Sequence, residues 1–171
     1  MVLPDETFFR RINKDLAQDT AQRHGLAAFV SCQDQYSLLA RAIERELIPA
    51  MEARALSLLP YFPLASGLLT GKYRRHAMPA GARLTESRRH ADRFISERNW
   101  LMLGELDAFC RRKGRRLIEL AFASLLAKPG VASVIAGAST PEQVAENVRA
   151  AAAWTLSADE VAEVDRITAS G

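Results

Sequence analysis

The sequence predicts an α/β protein with parallel strands, and three observations support this. Short apolar segments bounded by Gly, Pro or polar residues recur at Ala27–Cys32, Leu56–Pro60 and Val131–Ala136, as is typical of buried parallel strands. Segments with apolar residues at helical spacing lie between them. Capping signals mark where later helices begin. The alternation of strand and helix predicts βαβ units, whose strands all end at one edge of the sheet.

The length of 171 residues predicts one domain, 1–171, with a core of its own. A hydrophobic content of 49% and a charged content of 25% are typical of globular proteins and do not indicate a disordered chain. The sequence contains no apolar run long enough for a membrane span and no secretory signal. We therefore expect a soluble, cytoplasmic protein. Cys32 and Cys110 have no paired spacing, which predicts free thiols and no metal site.

The first third of the chain predicts a polar helix, a strand and a second helix. Residues 1–24 have a helical pattern that ends near Gly25, before the strand at Ala27–Cys32. Apolar residues at helical spacing predict a helix over Leu38–Ala53, and Pro49 predicts a kink in it.

The middle of the chain predicts a strand, a long loop and two helices. Leu56–Pro60 is followed by ~30 residues rich in Gly, Arg and Ala, and connections of that length are usually functional. Helices are then predicted over Phe94–Cys110 and Leu117–Ala127, with Gly114 between them.

The last third predicts a strand that leads directly into a capped helix. Val131–Ala136 is followed by Thr140 as N-cap, Pro141 at the first helical position and Gln143 at the capping-box position. Ser157–Glu160 is a second capping box and opens a last short helix. Such a helix start directs unpaired N–H groups and the positive end of the helix dipole at the strand end, where a phosphate can bind.

The parallel topology brings three distant segments together at the carboxyl edge of the sheet. These segments are Gln33, Tyr61–Lys72 and Gly137–Asn147. Ligands bind at this edge in α/β folds, so the sequence predicts a ligand site there.

Positive charge is concentrated in residues 71–116, which contain 13 Lys and Arg against five Asp and Glu, although the whole chain carries only +3. Such a block attracts phosphates, nucleic acid or an acidic partner, or it is simply a solvated helix face. The Arg clusters of this block have no aromatic residues between their arginines for base stacking, and no DNA-binding motif is present, so nucleic acid is not the expected ligand.

Three segments, in order, closely resemble the aldo-keto reductases: Phe29–Leu39, Leu59–Tyr73 and Ser133–Asn147. The similarity runs from about residue 22 to the C-terminus, and residues 1–21 form a poorly matched helical lead-in. The resemblance implies a partial (β/α)8 TIM barrel containing about its last three βα units. It also implies an NADP(H)-binding segment of an NADPH-dependent carbonyl oxidoreductase.

The resemblance further assigns cofactor contacts. Gln33 resembles the side chain that hydrogen-bonds the nicotinamide carboxamide, and Tyr61 resembles the aromatic that stacks on the nicotinamide. The predicted pyrophosphate contacts are Pro63, Leu64, Ala65, Gly67, Lys72 and Arg83. The predicted pocket for the adenosine 2′-phosphate and the adenine consists of Gly137, Ser139, Gln143, Glu146 and Asn147.

Two positions depart from the usual family pattern, and some assignments have structural alternatives. Thr140 and Pro141 occupy positions where many relatives have Lys or Arg, so the preference for NADPH follows from the family and not from local charge. Phe62 replaces a common Ser and makes that wall of the site more apolar. Taken alone, Gln143 also fits a capping side chain, and Tyr61 also fits a core residue.

The family carries its chemistry on an Asp, a Tyr, a Lys and a His of the first four barrel strands, which precede the matched segments. Residues 1–21 contain no such strand, and His24, His76 and His90 lie in unrelated contexts. We therefore predict no catalytic residue in this chain and expect a fragment or a truncated gene product. Two open sheet edges further predict self-association or pairing with an N-terminal half-barrel.

Two other functional readings stay open. The chain fits a non-catalytic dinucleotide-binding or regulatory subunit, and its basic block fits an interaction module. The sequence identifies neither the substrate nor the oligomeric state.

Overall fold

The computed structural model describes residues 16–169, which begin with a helix (α1, residues 16–24) and continue into a small parallel sheet. The helix predicted for residues 1–24 is therefore confirmed over 16–24, and its earlier part lies outside the described residues. No helix in residues 16–169 combines the length and the apolar character that a membrane span requires.

The sheet contains two parallel strands, β1 (Ser31–Gln35) and β2 (Ser57–Tyr61), in a register that pairs Gln33 with Leu59 and Gln35 with Tyr61. The parallel arrangement is confirmed, and β2 lies one residue beyond the predicted Leu56–Pro60.

The first predicted strand, Ala27–Cys32, is wrong in its first four residues. The side-chain amide of Gln18 bonds both backbone groups of Phe29, accepting from its N–H at 3.1 Å and donating to its carbonyl at 2.8 Å. With these groups engaged, the segment before Ser31 runs as exposed coil, and the strand begins only at Ser31.

The third predicted strand, Val131–Ala136, is also wrong as a continuous strand. Its residues meet β2 only at two isolated parallel bridges, Leu58 with Val131 and Tyr61 with Ile135. Pro60 lies between these bridges on β2 and has no N–H to donate, so the ladder is interrupted there. Between the two bridges the third segment advances four residues, from Val131 to Ile135, while β2 advances three, from Leu58 to Tyr61. One extra residue of this kind is the geometry of a β-bulge.

The predicted helix over Leu38–Ala53 is divided in the structure. A 3-10 turn, Ala42–Glu44, precedes the α-helix α2 (Leu47–Ala53). Pro49 is the third residue of α2, where an N–H has no intrahelical partner, so the proline lies within the first turn and does not kink a longer helix.

Most later helices follow the predicted pattern. The helix predicted from Phe94 begins at Glu97 instead, because Ser96 caps it by accepting from the N–H of Asn99 at 3.1 Å. Phe94 ends a separate short helix within the predicted loop, which also contains a 3-10 segment, Ala65–Thr70. The remaining helices are α3 (Arg83–Glu86), α4 (Arg88–Phe94), α5 (Glu97–Arg112), α6 (Leu117–Leu126), α7 (Pro141–Ala152) and α8 (Ala158–Ala169).

The main core lies between the 3-10 segment Ala65–Thr70 and helices α5, α6 and α8, with Leu106 and Phe109 fully buried. A second apolar cluster joins α2 to the buried face of the sheet, where Leu47 and Leu58 pack. The helices therefore cover one face of the sheet. The other face carries the alternate residues Gln33, Leu59 and Tyr61 and stays partly exposed.

A polar network ties the end of β1 to the last helix. Arg41 pairs with Glu44 at 2.7 Å and with Asp165 on α8 at 2.8 Å, and Lys128 pairs with the same Asp165 carboxylate at 2.8 Å. Tyr36 is buried and donates its hydroxyl to Glu44. This network holds α8 against the segment that follows β1.

Candidate functional site

A tight turn, Phe62–Gly67, follows β2 at the carboxyl edge of the sheet and has an unusual backbone. Phe62, Ala65 and Ser66 have φ values of 56°, 46° and 57°, and Gly67 has a φ of 97°. Residues other than glycine seldom adopt this left-handed region, at a cost of about 1–2 kcal/mol each. Strain of this kind persists only where the surroundings enforce it, and it clusters at functional sites.

Two backbone N–H groups of the turn have no acceptor among the described residues. Leu64 is near the right-handed region, with a φ of −98° and a ψ of 12°, and is followed by the left-handed Ala65 and Ser66. Successive residues of opposite hand form a concave array of N–H groups that binds anions. The N–H of Ala65 bonds the carbonyl of Phe62 at 3.0 Å, whereas those of Leu64 and Ser66 donate to no other residue within 16–169. Two donors therefore remain available to a ligand.

A basic side chain lies beside this turn. The side chain of Lys72 approaches Gly67 closely, since a Cβ built on Gly67 would lie 3.6 Å from Lys72 Cε and 3.8 Å from its Nζ. The same ammonium lies 5.1 Å from the ring centroid of Tyr73, which is buried. Among the described residues no carboxylate pairs with Lys72, so its charge is free to meet an anion.

Helix α4 packs against the turn through a ring of aromatic and polar contacts. His90 Nδ1 lies 2.9 Å from Ser66 Oγ, and its ring meets the ring of Phe62 edge-on at 6.0 Å. Phe94 also meets Phe62 edge-on, at 6.3 Å. The Arg93 guanidinium lies 5.7 Å from the Phe62 centroid and donates to the side chain of Gln35 at the end of β1. Helix α4 thus joins the turn to the neighbouring strand.

Tyr61 and Gln33 lie on the partly exposed face of the sheet. Tyr61 is the last residue of β2 and is half-buried, and its ring meets that of Phe62 at 5.5 Å. Gln33 is exposed near the middle of β1, two residues before the partner of Tyr61 in the register. Both side chains project to the same side because paired residues in parallel strands share a face.

The third predicted segment reaches the same edge through the bridge between Tyr61 and Ile135. Gly137 comes two residues later, and its carbonyl accepts from the Asn147 side chain at 3.5 Å. The N–H and hydroxyl of Ser139 donate to Gln143 Oε1 at 2.8 and 3.1 Å. The capping role foreseen for Gln143 is therefore confirmed, although its side chain accepts from Ser139 and not from the N–H of Thr140, whose hydroxyl oxygen accepts from the N–H of Gln143 at 3.4 Å.

The start of α7 already holds an acidic side chain. A hydrogen bond from its own backbone N–H and another from the Thr140 hydroxyl lower the pKa of Glu142. This carboxylate lies at the positive end of the helix dipole, where a ligand phosphate would also be stabilised. No basic residue lies within residues 137–143, so the segment contributes N–H and hydroxyl donors but no cation.

Two of the predicted site residues, Glu146 and Arg83, lie on helices outside the turn. Hydrogen bonds from Arg149 and Arg116 lower the pKa of Glu146, so this carboxylate is engaged within the protein. Arg83 is the first residue of α3 and is exposed, without a carboxylate partner in the described part of the chain.

The structure thus groups the predicted residues into two clusters. The turn cluster holds Tyr61, Pro63, Leu64, Ala65, Gly67 and Lys72; the α7 cluster holds Gly137, Ser139, Gln143, Glu146 and Asn147. The bridge between Tyr61 and Ile135 joins them, while Gln33 lies on β1 and Arg83 on α3.

The sequence did not single out Ser66, His90, Arg93 or Gln35 as site residues. Ser66 lies inside a matched segment, but the partner of its hydroxyl is 24 residues away. Only the packing of α4 shows that these residues belong together. Residues 16–169 contain no cluster of His, Cys, Asp and Glu side chains suited to a metal ion.

The model of the Aldo/keto reductase family matches residues 12–169. Protein tas of Escherichia coli is 35% identical over 147 residues, which cover 86% of this chain and 42% of that protein. A probable voltage-gated potassium channel subunit beta of Oryza sativa subsp. japonica is 34% identical, over 90% of this chain and 47% of that protein. An NADH-specific methylglyoxal reductase of Escherichia coli is 36% identical, over 69% of this chain and 36% of that protein. The chain spans less than half the length of each of these relatives.

Proposed function

Because the chain belongs to the aldo-keto reductase family, whose members use nicotinamide dinucleotides, we propose that it supplies the NADP(H)-binding part of a carbonyl oxidoreductase. Its architecture then corresponds to about the last three βα units of a (β/α)8 barrel. When bound, the nicotinamide supplies the hydride for carbonyl reduction. The residues of this chain bind and orient the cofactor.

The observation that carries this proposal is the turn Phe62–Gly67. The N–H groups of Leu64 and Ser66, which have no acceptor within residues 16–169, and the Lys72 ammonium beside Gly67 combine backbone donors with a positive charge, which suits a pyrophosphate. Gly67 adopts a φ of 97° at little backbone cost because it has no Cβ, and this lets the turn keep its shape. Pro63 and Ala65 complete the turn without adding bulky polar groups.

The remaining contacts follow from the same placement. Tyr61 offers an aromatic ring and Gln33 an amide on the exposed face of the sheet, and we assign them to the nicotinamide ring and its carboxamide. Gly137, Ser139, Gln143 and Asn147 are assigned to the adenosine end. Glu146 would have to exchange its arginine partners for the adenine amino group. Arg83, exposed on α3, is assigned to the pyrophosphate side together with Lys72.

A fluorescence titration of the chain with NADPH tests the proposal. We expect saturable binding that Lys72→Ala weakens about tenfold, since one charge-assisted hydrogen bond is lost. Lys113→Ala is the matched control, because that lysine pairs with Glu160 on α8, away from the turn. Absence of binding by the unmodified chain, or equal losses in both variants, would count against the proposal.

The choice between NADPH and NADH is a separate part of the proposal. Our choice of NADPH rests on the family pattern, because residues 137–143 carry no cation for a 2′-phosphate. One relative, 36% identical, is named an NADH-specific reductase. Parallel titrations with NADPH and NADH decide the point: tighter binding of NADH would correct the cofactor and leave the pyrophosphate site intact.

We propose that the groups which donate the proton lie outside these 171 residues, and that β1 receives a strand from another chain or segment. The outward backbone groups of Ser31 and Gln33 pair with no residue in the described ranges, and Phe29 and Val30 beside them are 64% and 78% exposed. Unpaired strand edges of this kind favour association. Sedimentation velocity over a hundredfold concentration range tests this, and a monomer throughout would contradict self-association.

A regulatory subunit is the second candidate, favoured by the similarity to the probable channel subunit. Such a protein would bind the dinucleotide and transmit its presence to a partner without turnover. Carbonyl reduction by the assembled protein would refute this candidate, whereas tight dinucleotide binding without reduction would support it.

The other parts of the proposal concern location and nucleic acid. Neither Cys32 nor Cys110 forms a disulfide in the described residues, which supports a reducing compartment such as the cytoplasm. Several cations of the basic block are engaged in ion pairs, among them Arg112 with Glu163 and Lys113 with Glu160, and this lowers the charge available to nucleic acid.

A further inference from the structure

We infer that α4 is a clasp that holds the anion-binding turn in its binding shape, and that His90 is the positioning residue of this clasp through its hydrogen bond to Ser66. The inference deepens the proposed function and rests on it. The ligand it concerns is the pyrophosphate of a dinucleotide.

The first step concerns the strain in the turn. Ala65 and Ser66 are consecutive non-glycine residues in the left-handed region, and Phe62 is a third. Left to itself, such a segment would relax to negative φ and turn its N–H groups away from one another. Backbone bonds within the turn, from the N–H of Ala65 to Phe62 at 3.0 Å and from the N–H of Gly67 to Leu64 at 2.8 Å, hold part of this shape, and a contact from outside the turn stabilises it further.

The second step identifies that contact. Ser66 is only 6% exposed, and its hydroxyl lies 2.9 Å from His90 Nδ1. The imidazole ring also packs edge-on against Phe62, so one side chain restrains two of the three strained residues. A hydrogen bond made in a nearly buried position is costly to break, because the polar group left behind loses its partner.

The third step concerns how α4 is itself held. Phe94 is buried and packs against Phe62, and Arg93 reaches across to Gln35 on β1. The helix is therefore fixed at its C-terminal end by packing and by a bridge to the sheet. Through its contacts with Ser66 and Phe62, His90 holds the turn in a fixed position relative to α4.

The test uses three substitutions in the full chain. His90→Phe keeps the ring beside Phe62 and removes the nitrogen, His90→Asn restores a polar atom near the position of Nδ1, and Ser66→Ala removes the other partner. His76→Phe is the matched control, because His76 is exposed in the same long loop and bonds no other described residue. Each variant is titrated with NADPH, and the amide hydrogen exchange of residues 62–67 is measured without ligand.

We expect His90→Phe to weaken NADPH binding about 3- to 10-fold, the worth of one hydrogen bond, and to speed amide exchange in the turn. Ser66→Ala should have the same effect, and the double variant should lose no more than either single one. His90→Asn should recover most of the binding, which a merely destabilised fold would not do. His76→Phe should change neither measurement.

The possible failures are distinguishable. If the unmodified chain binds NADPH and His90→Phe binds it equally well, the clasp is refuted and the proposed function stands. If the turn exchanges no faster in His90→Phe, the clasp is also refuted. If the unmodified chain does not bind NADPH at all, the proposed function fails, and the positioning role fails with it.

Discussion

Replacing Gly67 by alanine tests whether the shape of the turn determines ligand binding. The added Cβ would lie 3.5 Å from Tyr73 Cε2 and 3.6 Å from Lys72 Cε, which is ordinary van der Waals contact. Crowding therefore contributes little, and the backbone decides the outcome. At a φ of 97° an alanine is strained by about 1–2 kcal/mol.

This strain should lower either the free energy of unfolding or the affinity for NADPH. Urea denaturation of Gly67→Ala should show a free energy of unfolding lower by about 1–2 kcal/mol wherever the turn keeps its shape. If the turn relaxes instead, the same strain must be restored on binding, and NADPH should bind about 5- to 30-fold more weakly. Both losses come from the same backbone strain. The loss in unfolding free energy and the loss in binding free energy should therefore add up to about 1–2 kcal/mol.

Gly114 provides the control for this experiment. It follows α5 at a φ of 63°, where the N–H of Arg115 bonds the carbonyl of Cys110 at 2.9 Å, and an added Cβ would meet nothing within 4 Å. Gly114→Ala should therefore lose about 1 kcal/mol of stability from backbone strain alone and keep full NADPH affinity. The reasoning is refuted if Gly67→Ala changes neither stability nor binding, or if Gly114→Ala weakens binding as strongly.

Two further predictions concern the scaffold. Burial alone would raise the pKa of Asp165, but the hydrogen bond from Lys128 and the charge of Arg41 hold it below the usual value. The stabilisation is therefore present at neutral pH and is lost as the pH falls through this lowered pKa. Asp165→Asn should cost about 1 kcal/mol at pH 7 and flatten the acid side of the stability curve, and an unchanged curve from urea denaturation at several pH values would contradict this. Leu106 is fully buried in the main core, so Leu106→Ala should lower the free energy of unfolding by about 2–5 kcal/mol, and a loss below 1 kcal/mol would contradict the packing described.

The sequence predicted those elements whose signals are local. The capped start of α7 at Thr140 and Pro141 and the limits of α6 depend on nearby residues. The start of α7 agrees with the structure, and α6 begins as predicted at Leu117 and ends one residue before the predicted Ala127. Parallel pairing of the first two strands was also predicted, since it follows from the strand–helix–strand order. The matched segments were sufficient to identify the family.

The errors lie where distant residues compete for backbone groups. The apolar run at Ala27–Cys32 resembles a strand, but Gln18 binds the backbone of Phe29 from another element. Val131–Ala136 resembles a strand as well, but Pro60 on the neighbouring strand cannot donate to it. Both effects depend on which residue lies opposite, and periodicity within one segment carries no such information.

Within the candidate site, the order of residues along the chain was enough to predict the small residues of the turn, the lysine that follows it, and the capped start of α7. Three features became visible only in the folded chain: the left-handed backbone of Ala65 and Ser66, the contact of Ser66 with His90, and the pairing of Glu146 with two arginines. Contacts between residues far apart in the chain decide whether a strained backbone is tolerated and whether a charged side chain is neutralised. A local sequence pattern does not contain those contacts.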